Sequence, residues 1–331
     1  MATRVALALG SGGARGYAHI GVINELRARG YEVVGVAGSS MGALVGGLFA
    51  AGSLDEFTEW AATLTQRTVL RLLDPSITAA GVFRAGKFLD AVRDILGEVT
   101  IESLPIPYTA VTTDLIAGKS VWLQRGPVDE AIRASIAIPG MIAPHVLDGR
   151  LLADGGILDP LPMAPIASVN ADLTVAVSVS GMEADLGSDE VGGEPRATRE
   201  RLNRLLRSTS ALFDRFSTAA ELPLDDEDEK DDSGTTADAG AEDEELAEAV
   251  PETSIPKLRS FAVMNRTIDI AQAALARHQM AAYPPDVLIE VPRTTCRSLD
   301  FHRAAEVINL GHELASAALD RLEGGAAGPA Q

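Results

Sequence analysis

The chain has 331 residues, of which 46% are hydrophobic and only 4% aromatic, so it can bury a large core built mainly from alanine, valine, leucine and glycine. Its net charge is −19, but fifteen acidic residues and one lysine fall between residues 221 and 252, so −14 of that charge lies in one segment. The absence of a basic stripe argues against nucleic acid as a partner. The single cysteine, Cys296, excludes an intrachain disulfide and fits a reducing cytosol.

Through about residue 181, short apolar runs alternate with helical patterns, as in a largely parallel sheet that is covered on both faces. The predicted strands are residues 5–9, 33–37, 108–113, 120–124 and 173–179. The predicted helices are residues 17–29, 43–51, 55–73, 87–96 and 128–136. The sequence therefore predicts the α/β class, with three layers (α/β/α) and a mainly parallel central sheet.

The amino-acid composition changes beyond Gly181, where residues 183–254 form a polar insert. A basic amphipathic helix is predicted for residues 199–216. The acidic segment 221–252 has almost no large apolar residues and is predicted to be disordered. The elements predicted after the insert are a helix, a strand and a last helix, at residues 257–280, 287–291 and 301–322.

The strand and helix after the insert are too small to stand alone, so we predict one domain over residues 1–331. Its core is expected at residues 4–181, completed by residues 255–322, with a flexible tail at residues 324–331. No apolar run reaches the roughly 18 residues needed to span a bilayer. The sequence therefore predicts a cytoplasmic protein or one peripheral to the membrane.

Residues 38–42 read Gly-Ser-Ser-Met-Gly, which fits the G-x-S-x-G nucleophile elbow. In such an elbow the serine lies on a sharp turn between a strand and a helix. Gly38 and Gly42 flank it because a Cβ at either position would clash where the two elements approach. A predicted strand precedes the motif and a predicted helix follows it, so Ser40 is the predicted nucleophile.

A glycine loop, residues 10–16 (Gly-Ser-Gly-Gly-Ala-Arg-Gly), lies between the first predicted strand and the first predicted helix. Free backbone N–H groups at a helix N-terminus bind anions, either a phosphate or the oxyanion of acyl transfer. The dinucleotide fingerprint does not fit, because Arg15 stands where a third glycine is needed and, in the other frame, Ser11 stands where the first is needed. On the loop alone, an oxyanion site, a nucleotide site and a tight turn without a ligand all stay open.

An acidic turn, Asp154-Gly155-Gly156, ends a short apolar run. Aspartate before two glycines is most often a simple turn, but a carboxylate at a buried strand end is costly without a task. As a general base, Asp154 would lie within hydrogen-bond reach of the Ser40 hydroxyl. The rival base is histidine, either His19 after the glycine loop or one of the late histidines of a Ser–Asp–His triad, namely His278, His302 and His312.

Taken in this order, the glycine loop, the elbow and the acidic turn resemble the patatin-like phospholipase family. Its pattern is a glycine-rich loop with a basic residue, then G-x-S-x-G, then D-G-G or D-G-A. Residues 113–115 (TDL) are similar to the T-D-L segment of the family, residues 134–139 (ASIAIP) to its A-S-x-A-x-P block, and residues 160–162 (PLP) to the stretch after D-G-G. The resemblance covers residues 4–181, and Ser11 replaces the first glycine of the usual triple-glycine loop.

The resemblance implies a patatin-like fold and a serine acyl hydrolase of the phospholipase, lysophospholipase or esterase type, with a Ser40–Asp154 dyad. Ser40 would attack the ester carbonyl, Asp154 would accept its proton, and water would release the acyl-enzyme. Arg15 would fix the glycine loop, whose backbone N–H groups would hold the oxyanion at Gly12, Gly13 and Ala14. The implied substrate is a lipid or lysophospholipid ester. Neither a cofactor nor a metal is expected, since carboxylates and histidines do not cluster at ligand spacing.

A second hypothesis treats the chain as a regulatory or interaction module with weak activity, whose acidic insert docks a basic protein partner. The alternative is that the insert is a solvated linker without a partner. The basic stretch 196–215 would either meet anionic lipid or be neutralised by the acidic segment. Candidates for an acyl channel, or otherwise for ordinary core, are Leu70, Leu72, Phe83 and Phe88.

Overall fold

The computed structural model describes residues 2–73, 85–181 and 260–326, which belong to one compact unit. The acidic insert, the basic stretch before it and Phe83 lie outside the described residues. The single-domain prediction and the interaction-module hypothesis therefore stay predictions.

Within the described part of the chain, the strands are Arg4–Leu9 (β1), Glu32–Ser39 (β2), Tyr108–Asp114 (β3), Lys119–Leu123 (β4), His145–Leu147 (β5), Arg150–Asp154 (β6), Leu173–Gly181 (β7) and Val287–Pro292 (β8). All of them form one sheet. Five strands pair in parallel in the order β3-β2-β1-β7-β8. Strands β4 and β6 pair antiparallel with β3, and β5 pairs antiparallel with β6. The prediction of a mainly parallel sheet is confirmed.

The helices of the described residues are Ala18–Ala28 (α1), Met41–Ala51 (α2), Leu54–Ala62 (α3), Gln66–Leu73 (α4), Gly86–Leu96 (α5), Val128–Ser135 (α6), Met163–Ile166 (α7), Ser260–Ala282 (α8) and Ala304–Ala326 (α9). Short 3-10 turns add Gly13–Tyr17, Ile101–Ser103, Gly155–Ile157 and Phe301–Arg303.

The two faces of the sheet carry different side chains, as strand β1 shows. Val5, Leu7 and Leu9 point into a large core shared with α1, α2 and α9. Ala6 and Ala8 point to the opposite face, into a smaller core shared with α7 and α8. This follows from the two-residue period of a strand, which sends successive side chains to opposite faces. The helices therefore cover both faces, and the predicted three-layer α/β class is confirmed.

Two local predictions need correction, and two short elements were not predicted. Residues 55–73 form two helices, because Thr65 Oγ1 accepts a hydrogen bond from the Thr68 N–H at 3.3 Å and starts α4 anew. Helix α9 continues to Ala326, so residues 324–326 are helical where a flexible tail is expected. Strand β5 and helix α7 have no counterpart among the predicted elements, since three or four residues are too few to show a period.

Strand β3 positions the site, because β4 occupies one of its edges while β2 and β6 share the other. The last residue of β2, Ser39, pairs with Val111, and the last residue of β6, Asp154, pairs with Thr112. Strand β2 runs parallel to β3 and β6 runs antiparallel, so the two strands end facing each other. The sheet register therefore brings Asp154 to the residue that follows Ser39.

Candidate active site

Ser40 lies on a strained turn between β2 and α2. Its backbone has φ 54° and ψ −121°, a region that side chains rarely adopt, and such strain is typical of functional sites. The flanking glycines permit the turn. A Cβ on Gly38 would lie 2.2 Å from the carbonyl oxygen of Gly42, and a Cβ on Gly42 would lie 2.1 Å from that of Leu9. Both glycines are thus required by close backbone approach, as the sequence predicts.

Ser135, at the end of α6, holds the strained turn from the side. Its buried hydroxyl accepts a hydrogen bond from the Ser40 backbone N–H at 2.9 Å and donates one to the Val111 carbonyl at 2.6 Å. The hydroxyl thus connects the elbow to β3. Sequence reasoning did not assign a role to Ser135, although the A-S-x-A-x-P block that contains it was a signal.

Ser40 and Asp154 are in direct contact. The Ser40 hydroxyl donates to Asp154 Oδ2 at 2.5 Å, and the Gly156 backbone N–H donates to Asp154 Oδ1 at 2.7 Å. The backbone of Asp154 is fixed as well, since its N–H donates to the Ala137 carbonyl at 2.9 Å. Both carboxylate oxygens are therefore engaged, and both side chains are 3% exposed.

Burial raises the pKa of Asp154 to about 6, although the hydrogen bonds from Ser40 and Gly156 oppose the shift. The carboxyl group is therefore a stronger base than a solvent-exposed aspartate, and it is mostly deprotonated at neutral pH. This is the range in which a general base works best, because its pKa then lies near the operating pH.

The glycine loop lies beside this pair. Within the residues that the structure describes, the Gly12 and Gly13 N–H groups have no hydrogen-bond partner. The Ala14 N–H, in contrast, donates to the Ser298 carbonyl at 2.9 Å. The expectation that Ala14 contributes an oxyanion donor is therefore corrected, because its only N–H is already used.

Arg15 ties the loop to neighbouring segments and is only 5% exposed. Its Nε donates to the Gly12 carbonyl at 3.3 Å, and a terminal nitrogen donates to Ser298 Oγ at 3.3 Å. The same nitrogen lies 3.5 Å from Asp269 Oδ1. These contacts match the predicted role of Arg15 in fixing the loop rather than a place in the oxyanion site.

Two cavities meet at Ser40. One is an apolar cavity of about 80 Å³ lined by residues of α2, α4 and α5 among others, including Tyr17, Leu44, Leu72 and Phe88. The other is a wider cleft of about 430 Å³. It is lined by Asp154 and also by residues of the glycine loop and α8, including Gly12, Gly13, Arg15, Asp269 and Gln272.

No histidine among the described residues lines either cavity. His19 is fully buried, and its Nε2 lies 2.8 Å from the carbonyl oxygen of Gly10, the first residue of the glycine loop. Burial lowers its pKa to about 4, which keeps it neutral. His312 contacts Glu25 at 2.8 Å on another face, and His278 is exposed. His302 lies in the 3-10 turn Phe301–Arg303 and lines neither cavity, so none of the candidate triad histidines lines a cavity that contains Ser40.

A family model described as patatin-like phospholipase matches residues 7–167, which include the loop, Ser40 and Asp154. The chain is also 64% identical over 337 residues to an uncharacterized NTE family protein of Mycobacterium tuberculosis H37Rv. That match covers 97% of this chain and 92% of the relative. The chain belongs to the patatin-like phospholipase family.

More distant relatives of this patatin-like phospholipase family member share only part of their length with it. Neuropathy target esterase sws of Drosophila melanogaster is 33% identical over 186 residues, covering 54% of this chain and 13% of the relative. The crystal structure of VipD from Legionella pneumophila aligns with a TM-score of 0.43 and 15% identity, over 96% of this chain and 67% of that one. The family is one of lipid hydrolases.

Within residues 2–73, 85–181 and 260–326, no helix combines the length and apolar character needed to cross a bilayer. The same residues contain no group of three His, Cys, Asp or Glu side chains placed to hold a metal ion. The location of this family member in the cell stays a prediction.

Proposed function

We propose that the protein is a serine acyl hydrolase that cleaves carboxylic esters of lipids with Ser40 as nucleophile and Asp154 as general base. The observation that carries the proposal is the 2.5 Å hydrogen bond from the Ser40 hydroxyl to the buried Asp154 carboxylate. A nucleophile in contact with its base is the arrangement that covalent catalysis requires.

The reaction has two steps that conserve atoms and protons. Ser40 Oγ bonds to the ester carbonyl carbon while its proton passes to Asp154, and that proton then leaves with the alcohol as the ester C–O bond breaks. In the second step, water gives a proton to Asp154 and its oxygen attacks the acyl-enzyme. Ser40 regains the proton when the carboxylic acid is released.

The negative charge that develops on the carbonyl oxygen needs donors, and the Gly12 and Gly13 N–H groups supply them in this proposal. Loss of one such donor typically lowers kcat about 10²–10³-fold. Arg15 acts on the oxyanion indirectly, since it holds the Gly12 carbonyl and therefore the loop.

The two cavities suggest how a lipid ester is oriented. The apolar cavity, lined by side chains such as Leu44 and Phe88, suits the acyl chain. The cleft with Arg15, Asp269 and Gln272 suits the alcohol part with its polar groups. Ser40 lines both cavities, so the ester bond would lie at their junction.

The test compares hydrolysis of short-chain nitrophenyl esters by the wild type, Ser40→Ala and Asp154→Asn. Both variants are expected to lose at least about 10³-fold in kcat, because each removes a member of the dyad. A fluorophosphonate probe is expected to label the wild type and to spare Ser40→Ala.

The chain offers a matched control for each variant. Ser39 is a buried neighbouring serine whose hydroxyl has no hydrogen-bond partner among the described residues. Asp159 is a buried aspartate five residues after Asp154, and burial also raises its pKa to about 6. Ser39→Ala and Asp159→Asn should keep most of the activity. Equal rates in Ser40→Ala, Asp154→Asn and the wild type would refute the proposal.

A further inference from the structure

The turn between β3 and β4, residues 115–118, presents apolar side chains to solvent. Ile116 is 82% exposed and Leu115 is 41% exposed. A further exposed apolar residue, Val146 of β5, is 67% exposed. It lies near the turn, because it pairs with Leu151 of β6, whose carbonyl accepts a hydrogen bond from the Leu115 N–H. We call residues 115–118 the apolar turn.

The backbone N–H groups of the apolar turn all donate hydrogen bonds within the protein. The Ile116 and Ala117 N–H groups both donate to Asp114 Oδ1 at 2.9 Å, and the Gly118 N–H donates to the Asp114 carbonyl at 2.9 Å. The Leu115 N–H donates to Leu151 at 2.9 Å. Every N–H of the turn thus has a hydrogen-bond partner within the protein, which lowers the cost of moving this backbone into the interface of a bilayer.

The apolar turn lies at the mouth of the cleft that contains Ser40. It follows the carboxyl end of β3, the same sheet edge at which β1 leads into the glycine loop and β2 into Ser40. Leu115 itself lines the cleft together with Ile157 and Ile268. The next exposed apolar residue of α8, Ile270, is 57% exposed.

Basic side chains stand on the α8 side of the same mouth. Arg293 follows the carboxyl end of β8 and donates to the Asp269 carbonyl at 2.7 Å. Burial lowers the pKa of Arg293, the charge of Asp269 opposes the shift, and the weaker effects of Arg15, Arg266 and Arg277 add to it. Of these, Arg266 is exposed on α8 two residues before Ile268, which lines the cleft, whereas Arg15 is buried in the glycine loop.

We propose that the apolar turn enters the interface of a lipid bilayer and sets the cleft against the membrane, with Arg266 facing anionic head groups. Exposed apolar side chains on a turn whose N–H groups are all hydrogen-bonded match the chemistry of an interfacial anchor, and an exposed arginine near the cleft adds attraction to anionic lipid. The inference rests on the proposed function, because a lipid ester reaches Ser40 directly from the bilayer in this orientation. The occupant of the surface is therefore a lipid surface rather than a protein.

The experiment measures co-sedimentation with vesicles of phosphatidylcholine containing phosphatidylglycerol, using the full chain with Ser40→Ala so that lipid is not consumed. In that background, Ile116→Asp is expected to bind at least about tenfold more weakly, because a charge replaces an inserted isoleucine. Ile116→Trp keeps the turn apolar and is expected to bind at least as tightly as the parent.

The matched control is Tyr283→Asp. Tyr283 is 43% exposed and follows the end of α8, before β8 begins. It therefore lies near the amino ends of the parallel strands, and this variant adds the same charge away from the cleft. It is expected to bind like the parent. Equal binding by Ile116→Asp and the parent, equal losses in Ile116→Asp and Tyr283→Asp, or weaker binding by Ile116→Trp would each overturn the proposal.

A water-soluble nitrophenyl ester separates this inference from the proposed function. With Ser40 intact, Ile116→Asp is expected to hydrolyse the soluble ester within about twofold of the wild type, while hydrolysis of vesicle lipid falls in proportion to binding. Absence of soluble ester hydrolysis in the wild type would count against the proposed function alone. Full vesicle hydrolysis by Ile116→Asp would count against the apolar turn alone.

Discussion

Ser39 of β2 and Asp154 of β6 pair with consecutive residues of β3, Val111 and Thr112. One strand thus aligns the ends of two others, and the residue after Ser39 reaches the Asp154 carboxylate at 2.5 Å. The contact joins positions 114 residues apart in the chain. Backbone pairing with β3 sets the position of both strand ends. The register of the sheet therefore fixes the serine and the acid relative to each other.

The activity is expected to depend on pH through Asp154. A general base works when deprotonated, and burial raises the pKa of Asp154 to about 6. The value of kcat/KM for a soluble ester should therefore level off above pH 6 and fall about tenfold per pH unit well below it. Circular dichroism at each pH would separate this fall from acid unfolding. A midpoint near pH 4 would contradict the raised pKa.

Two buried serines beside the elbow should respond differently to loss of the hydroxyl. Ser135→Ala removes the acceptor of the Ser40 N–H and is expected to cost about 1–3 kcal/mol of unfolding free energy, with slower fluorophosphonate labelling. Ser39→Ala removes a hydroxyl without a partner among the described residues and should cost little. Denaturant unfolding and labelling rates test both variants. Equal effects would show that the Ser135 bridge does not support the elbow.

Asp159 is expected to make stability depend on pH. It is 4% exposed, its Oδ1 has no hydrogen-bond partner among the described residues, and burial raises its pKa to about 6. The native state therefore holds this proton more tightly than the unfolded state. The resulting stabilisation is complete below about pH 4 and is lost as pH rises through about 6.

Asp159→Asn should accordingly be more stable than the wild type at pH 8, by about 1–3 kcal/mol, with a difference that disappears near pH 4. Thermal unfolding at both pH values measures this. A variant that is less stable at pH 8 would mean that the carboxylate has a stabilising role.

The apolar cavity at Ser40 leads to a prediction about the acyl chain length of the preferred substrate. Its volume is about 80 Å³, and Phe88 forms part of its wall. Phe88→Leu should raise the kcat/KM ratio of octanoate to butyrate nitrophenyl esters several-fold, because each newly buried methylene adds about 0.8 kcal/mol. Phe49→Leu is the control, since Phe49 packs against the same core and does not line the cavity. Equal ratios in both variants would place the acyl chain elsewhere.

Much of the site was predictable from the sequence because its signals are local. The strained angles at Ser40 and the close approaches at Gly38 and Gly42 require glycines at fixed spacing, and that spacing is visible in the chain. The Ala-Val-Leu alternation of β1 likewise predicts a strand between two layers. These features depend on neighbours within a few residues.

Tertiary structure alone decided which distant groups meet. The Ala14 N–H donates to the Ser298 carbonyl, and the Ser40 N–H donates to the Ser135 hydroxyl. Two cavities join at Ser40. All three features depend on contacts between segments far apart in the chain. A sequence determines which residues prefer a strand, a turn or a helix. The partner of each backbone donor follows from the register in which those elements pair and pack, and that register is a property of the whole sheet.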